Sequence, residues 1–268
     1  KMKDGALIET VFMAPKAGEW SACVSCQVGC AMHCSFCATG DMGFKRNLTP
    51  EEITDQVLFW RQYKLKNNIK GEFTHIVYMG MGEPFNNWPA VKQSLKHLLD
   101  PELFGFGSRG IAVSTSGLVH TIADFVKEFP QVNLAISLHF ATDEKRSKFM
   151  PVNKAFNLEK LKLALQDYFK VSRRKVFIEY LMLNGVNDTQ EDAQHLAAYL
   201  QSIAGPHLLH LNLIPYNTTG AGLQSTAYAA IQSFRTALRA HGFHVTIRRS
   251  LGQEIQGACG QLSTAESV

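Results

Sequence analysis

From residue 74 onward the apolar positions gather in short, nearly unbroken runs. Each run is closed by glycine or small polar residues and followed by a stretch with helical spacing. THIVYMGMG (74–82) precedes a helical pattern from Pro89 to Leu99, and RGIAVSTSG (109–117) precedes one from Leu118 to Phe129. QVNLAISLHF (131–140) is followed by a helix over Asn157 to Phe169. RKVFIEYLML (174–183) is followed by DTQEDAQHLAAYLQSI, where Asp188 and Thr189 are cap-type residues ahead of an amphipathic run. HLLHLNLIPYN (207–217) leads to a helix from Thr226 to His241 and a last strand, FHVTIRR (243–249). Strands apolar along their whole length are buried on both faces, and alternation with helices predicts a parallel sheet covered by helices. With a further strand around Ala22 to Val28, the pattern holds about six β/α units. The fold class is α/β: a curved, partial (β/α)6 barrel, with a doubly wound sheet as the other arrangement. No internal repeat or linker interrupts it. A short N-terminal β extension over residues 1–20 and one core domain over 21–268 are expected.

In either arrangement functional groups gather at the carboxyl ends of the strands. Polar residues do fall there: Gly82 and Glu83, Ser114, Ser137 and His139, and Asn217. Taken singly, each is more often a satisfied strand-end group; their shared placement is what marks them. Composition changes this picture little, since 46% hydrophobic and 19% charged residues are ordinary for a globular chain of 268 residues. No window reaches the roughly 18 apolar residues of a membrane span, and the N-terminus has no apolar signal-type core. A cytoplasmic protein without membrane association is expected. In a reducing compartment, clustered cysteines serve as metal ligands or catalysts more often than as disulfides. A net charge of +4 permits a polyanionic partner without requiring one.

Five of the six cysteines lie in one stretch, CVSCQVGCAMHCSFCATG (23–40), and the sixth, Cys259, stands alone. Cys30, Cys34 and Cys37 have the spacing C-x3-C-x2-C. Three thiolates on one short loop can hold three irons of a 4Fe–4S cluster and leave the fourth open for chemistry. A zinc knuckle recruiting Cys26 or Cys23 as fourth ligand is the alternative, but structural zinc usually draws paired C-x2-C elements. A disulfide cluster without an export signal fits less well.

This loop, with Phe36 before its last cysteine, resembles the signature of the radical S-adenosylmethionine (SAM) superfamily. In that family SAM chelates the open iron, and reduction of the cluster splits SAM into methionine and a 5′-deoxyadenosyl radical. Further motifs narrow the resemblance: IETV, CVSCQVGC, FCATGDMGFKRNLTPEEI, YMGMGEP, VSTSG, AISLH, MPVN, LNLIPYN and ACGQL. In order from Ile8 to Leu262 they are similar to the RlmN/Cfr family, which methylates an adenine of 23S rRNA at carbon 2 or carbon 8. The resemblance implies a barrel of the radical SAM type, a 4Fe–4S cluster on Cys30, Cys34 and Cys37, and two SAM molecules per turnover. It implies that one SAM methylates Cys259. The radical from the second then takes a hydrogen from the S-methyl group, and the resulting methylene radical adds to adenine. By the same resemblance Cys23 is a second catalytic thiol that resolves the protein–RNA intermediate, and Glu9 of IETV is a proton acceptor. Gly82, Glu83, Ser114, Ser137, Leu138, His139 and Asn217 correspond to SAM-binding positions. The plain alternatives are a buried hydrophobic cysteine for Cys259, despite its small neighbours Gly257, Ala258 and Gly260, and a salt-bridged surface carboxylate for Glu9. Cys26 departs from the family's usual serine or threonine and has no assigned role.

The partners so implied are 23S rRNA, with tRNA as a further substrate of some relatives, and a reducing donor such as flavodoxin; a monomer is expected. FKRN (44–47), SRRK (172–175) and Arg248–Arg249 are candidate phosphate contacts, although basic clusters are as often solvated faces. Members of the family generally carry an N-terminal RNA-binding domain ahead of IETV, and this chain begins just before that strand, as a catalytic core would. MGMGEP and QVGC lean toward carbon-2 methylation, the leading reading. ATGDMGFKRNLT, EITDQVL, PELF, PQVNL and RSKFMPVN lean toward carbon 8, the antibiotic-resistance type. A radical SAM activase would not need Cys259. An iron–sulfur or zinc-bearing RNA-binding protein without catalysis would not need the strand-end polar set.

Overall fold

A computed structural model describes residues 1–263. The chain opens with a hairpin in which β1 (Val11–Lys16) runs antiparallel to β2 (Glu19–Cys23). It then makes an excursion through β3 (Gln27–Gly29), the short α1 (Ala38–Asp41) and β4 (Phe44–Asn47). Strands β3 and β4 pair antiparallel as a separate two-stranded sheet. Helical crossovers follow: α2 (Pro50–Lys66) to β5 (Glu72–Tyr78), α3 (Trp88–Leu99) to β6 (Ile111–Thr115), and α4 (Val119–Glu128) to β7 (Asn133–Ser137). Helices α5 (Asp143–Phe149) and α6 (Leu158–Val171) lead to β8 (Val176–Met182). Helix α7 (Gln190–Ile203) leads to β9 (Leu209–Pro215), and α8 (Tyr228–Ala240) to β10 (His244–Ile247).

The main sheet has the order β1-β2-β5-β6-β7-β8-β9-β10, and every pairing from β2 onward is parallel. Among the described residues, seven parallel strands joined by six crossovers make the expected α/β half-barrel, left open because β10 and β1 do not pair. Ile76, Ile111, Val113, Leu134, Val176, Leu209 and Leu211 are fully buried in a core shared with Leu95, Phe125, Leu161, Leu196 and Leu238 of the helices. Each such side chain contributes about 1.5–3 kcal/mol by leaving water. Among the described residues no helix is long and apolar enough to cross a membrane.

The first parallel strand and helix α2 are two of the elements that differ from the sequence expectation. The first parallel strand ends at Cys23 instead of continuing to Val28. Ser25 leaves the sheet because its amide donates to the Gln56 side chain (2.8 Å) and its hydroxyl to the Glu9 carbonyl (2.6 Å). The cysteine loop therefore hangs from the β3–β4 side sheet, not directly from a barrel strand. Helix α2 was passed over, although Thr49-Pro50-Glu51-Glu52 is a full start signal. Thr49 and Glu52 cap each other's amides reciprocally there.

Candidate active site

The cysteine loop is wound tightly by glycine. A Cβ on Gly29, whose φ is +76°, would lie 1.8 Å from the Gly43 carbonyl, and one on Gly40 would lie 2.9 Å from the Cys34 carbonyl. Cys30 N donates to Gly43 O (3.0 Å) and Cys37 N to Cys34 O (3.1 Å). The loop is also pinned from outside, by Ser35 N on Phe149 O (3.0 Å) and Ala38 N on Gly260 O (2.8 Å). Cys30, Cys34 and Cys37 are free, half-buried thiols that line one cavity of about 150 Å³. Burial pushes Cys30 up to about 12 and raises Cys34 well above the ordinary thiol range.

Facing the three thiols are the carboxyl ends of β5 to β9. Gly82, Glu83, Ser114, Ser137 and His139 line the same cavity, as expected. The Ser114 and Ser137 hydroxyls are 3.2 Å apart on adjacent strands. Glu83 is buried, and its two carboxylate oxygens accept from the amides of Phe85 (3.0 Å) and Ser116 (2.7 Å). Burial raises its pKa against those two bonds. Gly82 has φ +100°, and a Cβ there would strike Gln27, so this glycine serves close packing between loops. His139 sits at φ +58° with its ring edge-on to Phe36 (5.1 Å). Its Nδ1 accepts from Leu181 N (3.1 Å), so Nε2 carries the hydrogen. Burial, helped by Arg146, pushes its pKa down to about 3, and the ring stays neutral.

Other expected residues lie elsewhere. Leu138 is core, with 1% of its surface exposed, and lines neither cavity described here. Asn217 is 1% exposed; its Nδ2 donates to the Cys259 carbonyl (3.0 Å) and its Oδ1 accepts from Gln253 (2.6 Å). It ties down the C-terminal loop. Glu9 accepts from Ser263 N (3.0 Å) through its carboxylate, is raised in pKa by partial burial, and lines neither cavity. Cys26 is a core side chain whose Sγ lies 3.7 Å from the Met81 carbonyl, the place of a small hydrophobe.

The C-terminal loop closes the site. Thr39 Oγ1 donates to Leu262 O (2.7 Å), Gln261 to Thr218 O (3.0 Å) and Thr219 Oγ1 to Phe36 O (3.3 Å). Ala258 and Leu262 are buried on either side of Cys259, which is accessible and lines two cavities. One is the cavity of the three thiols. The other, about 290 Å³, is lined also by Cys23, Met79, Asn217 and Arg248. Cys23 is buried and pushed up to about 12 by burial and then by the neighbouring Cys259 thiol. Surrounding protein raises Cys259 as well, and Arg248 opposes the rise at both thiols.

Two charged residues went unread in the sequence, Glu179 and Arg146. Glu179, alone in the apolar strand VFIEYLM, is buried in the cavity wall, accepting from Asn212 (2.9 Å) and Arg248 (3.2 Å). Arg248 is thus an internal ion-pair partner and not the free phosphate contact anticipated for it. Arg146 is fully buried and reaches the Leu138 carbonyl (3.2 Å), the Ser116 carbonyl (2.5 Å) and Asn153 Oδ1 (2.8 Å). It knots the ends of β6 and β7 together and explains Asn153 of MPVN. Arg46 of FKRN is likewise engaged, by Glu52 and Asp4.

The profile of the Radical SAM superfamily matches residues 24–197 of this sequence. The chain belongs to the radical SAM superfamily. Within the superfamily it is 42% identical over 264 residues to a "Ribosomal RNA large subunit methyltransferase Cfr" of Clostridium botulinum (strain Okra), covering 98% of this chain and 75% of that protein. It is equally 42% identical to a "Probable dual-specificity RNA methyltransferase RlmN" of Streptococcus agalactiae, over 98% of this chain and 71% of the relative. A crystal structure of a radical SAM methyltransferase from Sphaerobacter thermophilus superposes with a TM-score of 0.93 at 42% identity, covering 99% of this chain and 76% of that one. This radical SAM enzyme is therefore of the Cfr/RlmN type. Spore photoproduct lyase, at 13% identity and TM-score 0.57, shares the fold alone.

Radical SAM enzymes use a 4Fe–4S cluster and SAM, and the residues present fit both. Among the described residues no three His, Cys, Asp or Glu groups converge on one point, as a single zinc ion would require. A cluster instead takes each thiolate on a different iron. Beside the thiols, the buried Ser116 hydroxyl lines the cavity next to the Glu83 carboxylate, a polar wall for a polar ligand.

Proposed function

We propose that this radical SAM enzyme methylates an adenine of large-subunit rRNA at carbon 2, with Cys259 as methyl carrier. The observation that carries the reading is the double placement of Cys259, on the cavity of Cys30, Cys34 and Cys37 and on that of Cys23. A carrier thiol must meet the methyl donor on one side and the acceptor base on the other. A purely oxidative use of SAM needs no such residue.

Cys30, Cys34 and Cys37 would hold the cluster, with SAM seated among Glu83, Ser114, Ser116, Ser137 and the neutral His139. When bound, the pair supplies the methyl group and one-electron, hydrogen-abstracting chemistry. Met150, Leu181, Ile214 and Tyr216 line the same space and limit water there. Cys259 carries the methyl group on Sγ, and the Asn217 amide holds its backbone. Cys23 holds its proton tightly at neutral pH, poised beside Cys259 to resolve the thioether after transfer. Arg248, oriented by Glu179, eases formation of either thiolate. A small reductant such as flavodoxin, a cytoplasmic setting and a monomeric enzyme complete the reading.

Carbon-8 methylation is the second reading, since the Cfr-named relative is as similar as the RlmN-named one; the words "dual-specificity" in the latter's name extend the candidates to a second RNA class. Expression in a host lacking such methylation, followed by mass spectrometry of rRNA and tRNA nucleosides, decides among them. A 2-methyladenine gain supports the proposal and an 8-methyladenine gain moves it to the second reading. No methyl gain on any adenine defeats both.

A further inference from the structure

Beside the active site, the last strand carries a groove that the catalytic reading leaves unused. It measures about 570 Å³ and is lined by Arg235 and Arg239 of α8, His244, and Arg248, Arg249 and Ser250 at and beyond the end of β10. No acidic side chain among the described residues lines it. Strand β10 ends the open sheet, so the groove runs along the free edge of the half-barrel. It also continues into the active site: Thr246, Ile247, Arg248, Arg249 and Ser250 line both this groove and the cavity holding Cys23 and Cys259.

A basic surface is usually a solvated face, but two details here are not those of free side chains. Arg235 Nε and Ser250 Oγ are buried, yet neither has a partner among the described residues. Buried donors are nearly always satisfied, so these two groups add hydrogen-bonding capacity at the wall of the groove. Arg239 keeps one contact, to the Val245 carbonyl (3.0 Å), and its side chain is otherwise exposed. Tyr228, 66% exposed, stands seven residues before Arg235 on the same helix face and also lines the groove. An exposed aromatic next to arginines suits a nucleotide strand, which offers phosphates and bases together, better than it suits an isolated phosphate.

We propose that this groove binds the phosphodiester backbone of the RNA strand next to the target adenine, with Arg235, Arg239 and Arg249 on phosphates and Tyr228 against a flanking base. The assignment rests on the RNA-methylating reading above. It explains how a chain of only +4 net charge grips a polyanion: the charge is concentrated where the strand must turn into the Cys23–Cys259 cleft.

The test is the double variant R235Q/R239Q of the reconstituted holoenzyme, with Arg239→Lys as a charge-keeping control and thermal melting as a check on folding. Binding of an rRNA fragment is followed by fluorescence anisotropy across a KCl series. The slope of log Kd against log salt should fall by about 1 per arginine removed, and KM for RNA should rise about tenfold or more. Methylation of Cys259 without RNA should stay unchanged, and Arg239→Lys should keep the wild-type slope. An unchanged salt slope and KM in a folded double variant, with wild type methylating RNA normally, would overturn the groove assignment alone. Wild type that methylates no RNA overturns the parent reading. Weakening of inorganic phosphate binding with RNA affinity intact assigns the groove to a small anion and also refutes the proposal.

Discussion

Asn217→Ala separates two roles for one residue. By family resemblance Asn217 is a SAM ligand; in the structure its amide spans the Cys259 carbonyl at 3.0 Å and Gln253 at 2.6 Å. Alanine removes both bonds. Each is worth about 1 kcal/mol net, and somewhat more where a partner stays buried, so the loop loses about 2–3 kcal/mol. At 1.4 kcal/mol per decade its opening equilibrium shifts about 30- to 140-fold. The loop does not detach, because Thr39 still holds Leu262 and Ala38 still holds Gly260. Hydrogen exchange read by mass spectrometry should therefore accelerate by that factor in peptides covering 252–263 and hardly elsewhere. Single-turnover methylation of Cys259 should slow, while SAM affinity holds. Asn217→Asp, which still accepts from Gln253 but cannot donate to the Cys259 carbonyl, should fall between. Unchanged exchange in 252–263 together with weakened SAM binding would refute the clasp and restore the ligand role.

Anaerobic reconstitution should give about four irons per chain, lost in Cys30→Ala and kept in Cys26→Ser, since the Cys26 thiol is packed in the core against Met81; iron loss in Cys26→Ser would contradict that placement. Gly82→Ala forces a Cβ to within 2.5 Å of Gln27 at a φ of +100°. It should destabilise the chain by about 1–3 kcal/mol from backbone strain alone, seen as a lowered Tm. The folded-state pKa of Cys23, about 12, lies above the ordinary thiol value near 8.5. The stability it contributes is therefore full below about pH 8.5 and lost as pH rises toward 12. Denaturant melts of the cluster-free chain should show this fall, and Cys23→Ser should make it shallower by the share of one thiol, since Cys26, Cys30, Cys34 and Cys259 are raised in the same direction.

The half-barrel was legible because its strands are apolar along their length and its helices carry their own spacing; both are local properties. Most observed strand bounds lie within two to four residues of the expected ones. The misread first strand failed for a non-local reason. Ser25 and Gln27 look compatible with a strand, but their hydrogen bonds go to Gln56, Glu9 and Asn47, none of them a neighbour in sequence. Helix α2 was a different miss, since Thr49 to Glu52 state its start outright.

The site divides along the same line. Cys30, Cys34 and Cys37 share one short loop, so their spacing alone is enough to bring the three thiols to one cavity. Glu179, Arg248 and Arg146 are not readable in this way, because a buried charge is recognised only by what neutralises or bonds it. Those partners stand 69 residues apart for Glu179 and Arg248, and 30 apart for Arg146 and Ser116. One cue was present: a lone glutamate within VFIEYLM cannot be buried unpaired without several kcal/mol of cost, so a cation had to be sought among later strand ends. RR at 248–249 was the candidate, and the pair divides the labour. Arg248 turns inward to Glu179 beside the thiols, and Arg249 stays exposed at the groove edge. Both residues lie just past the end of β10 and line the groove as well as the cavity of Cys23 and Cys259, so this one dipeptide joins the chemistry inside the barrel to the surface where the RNA strand is proposed to lie.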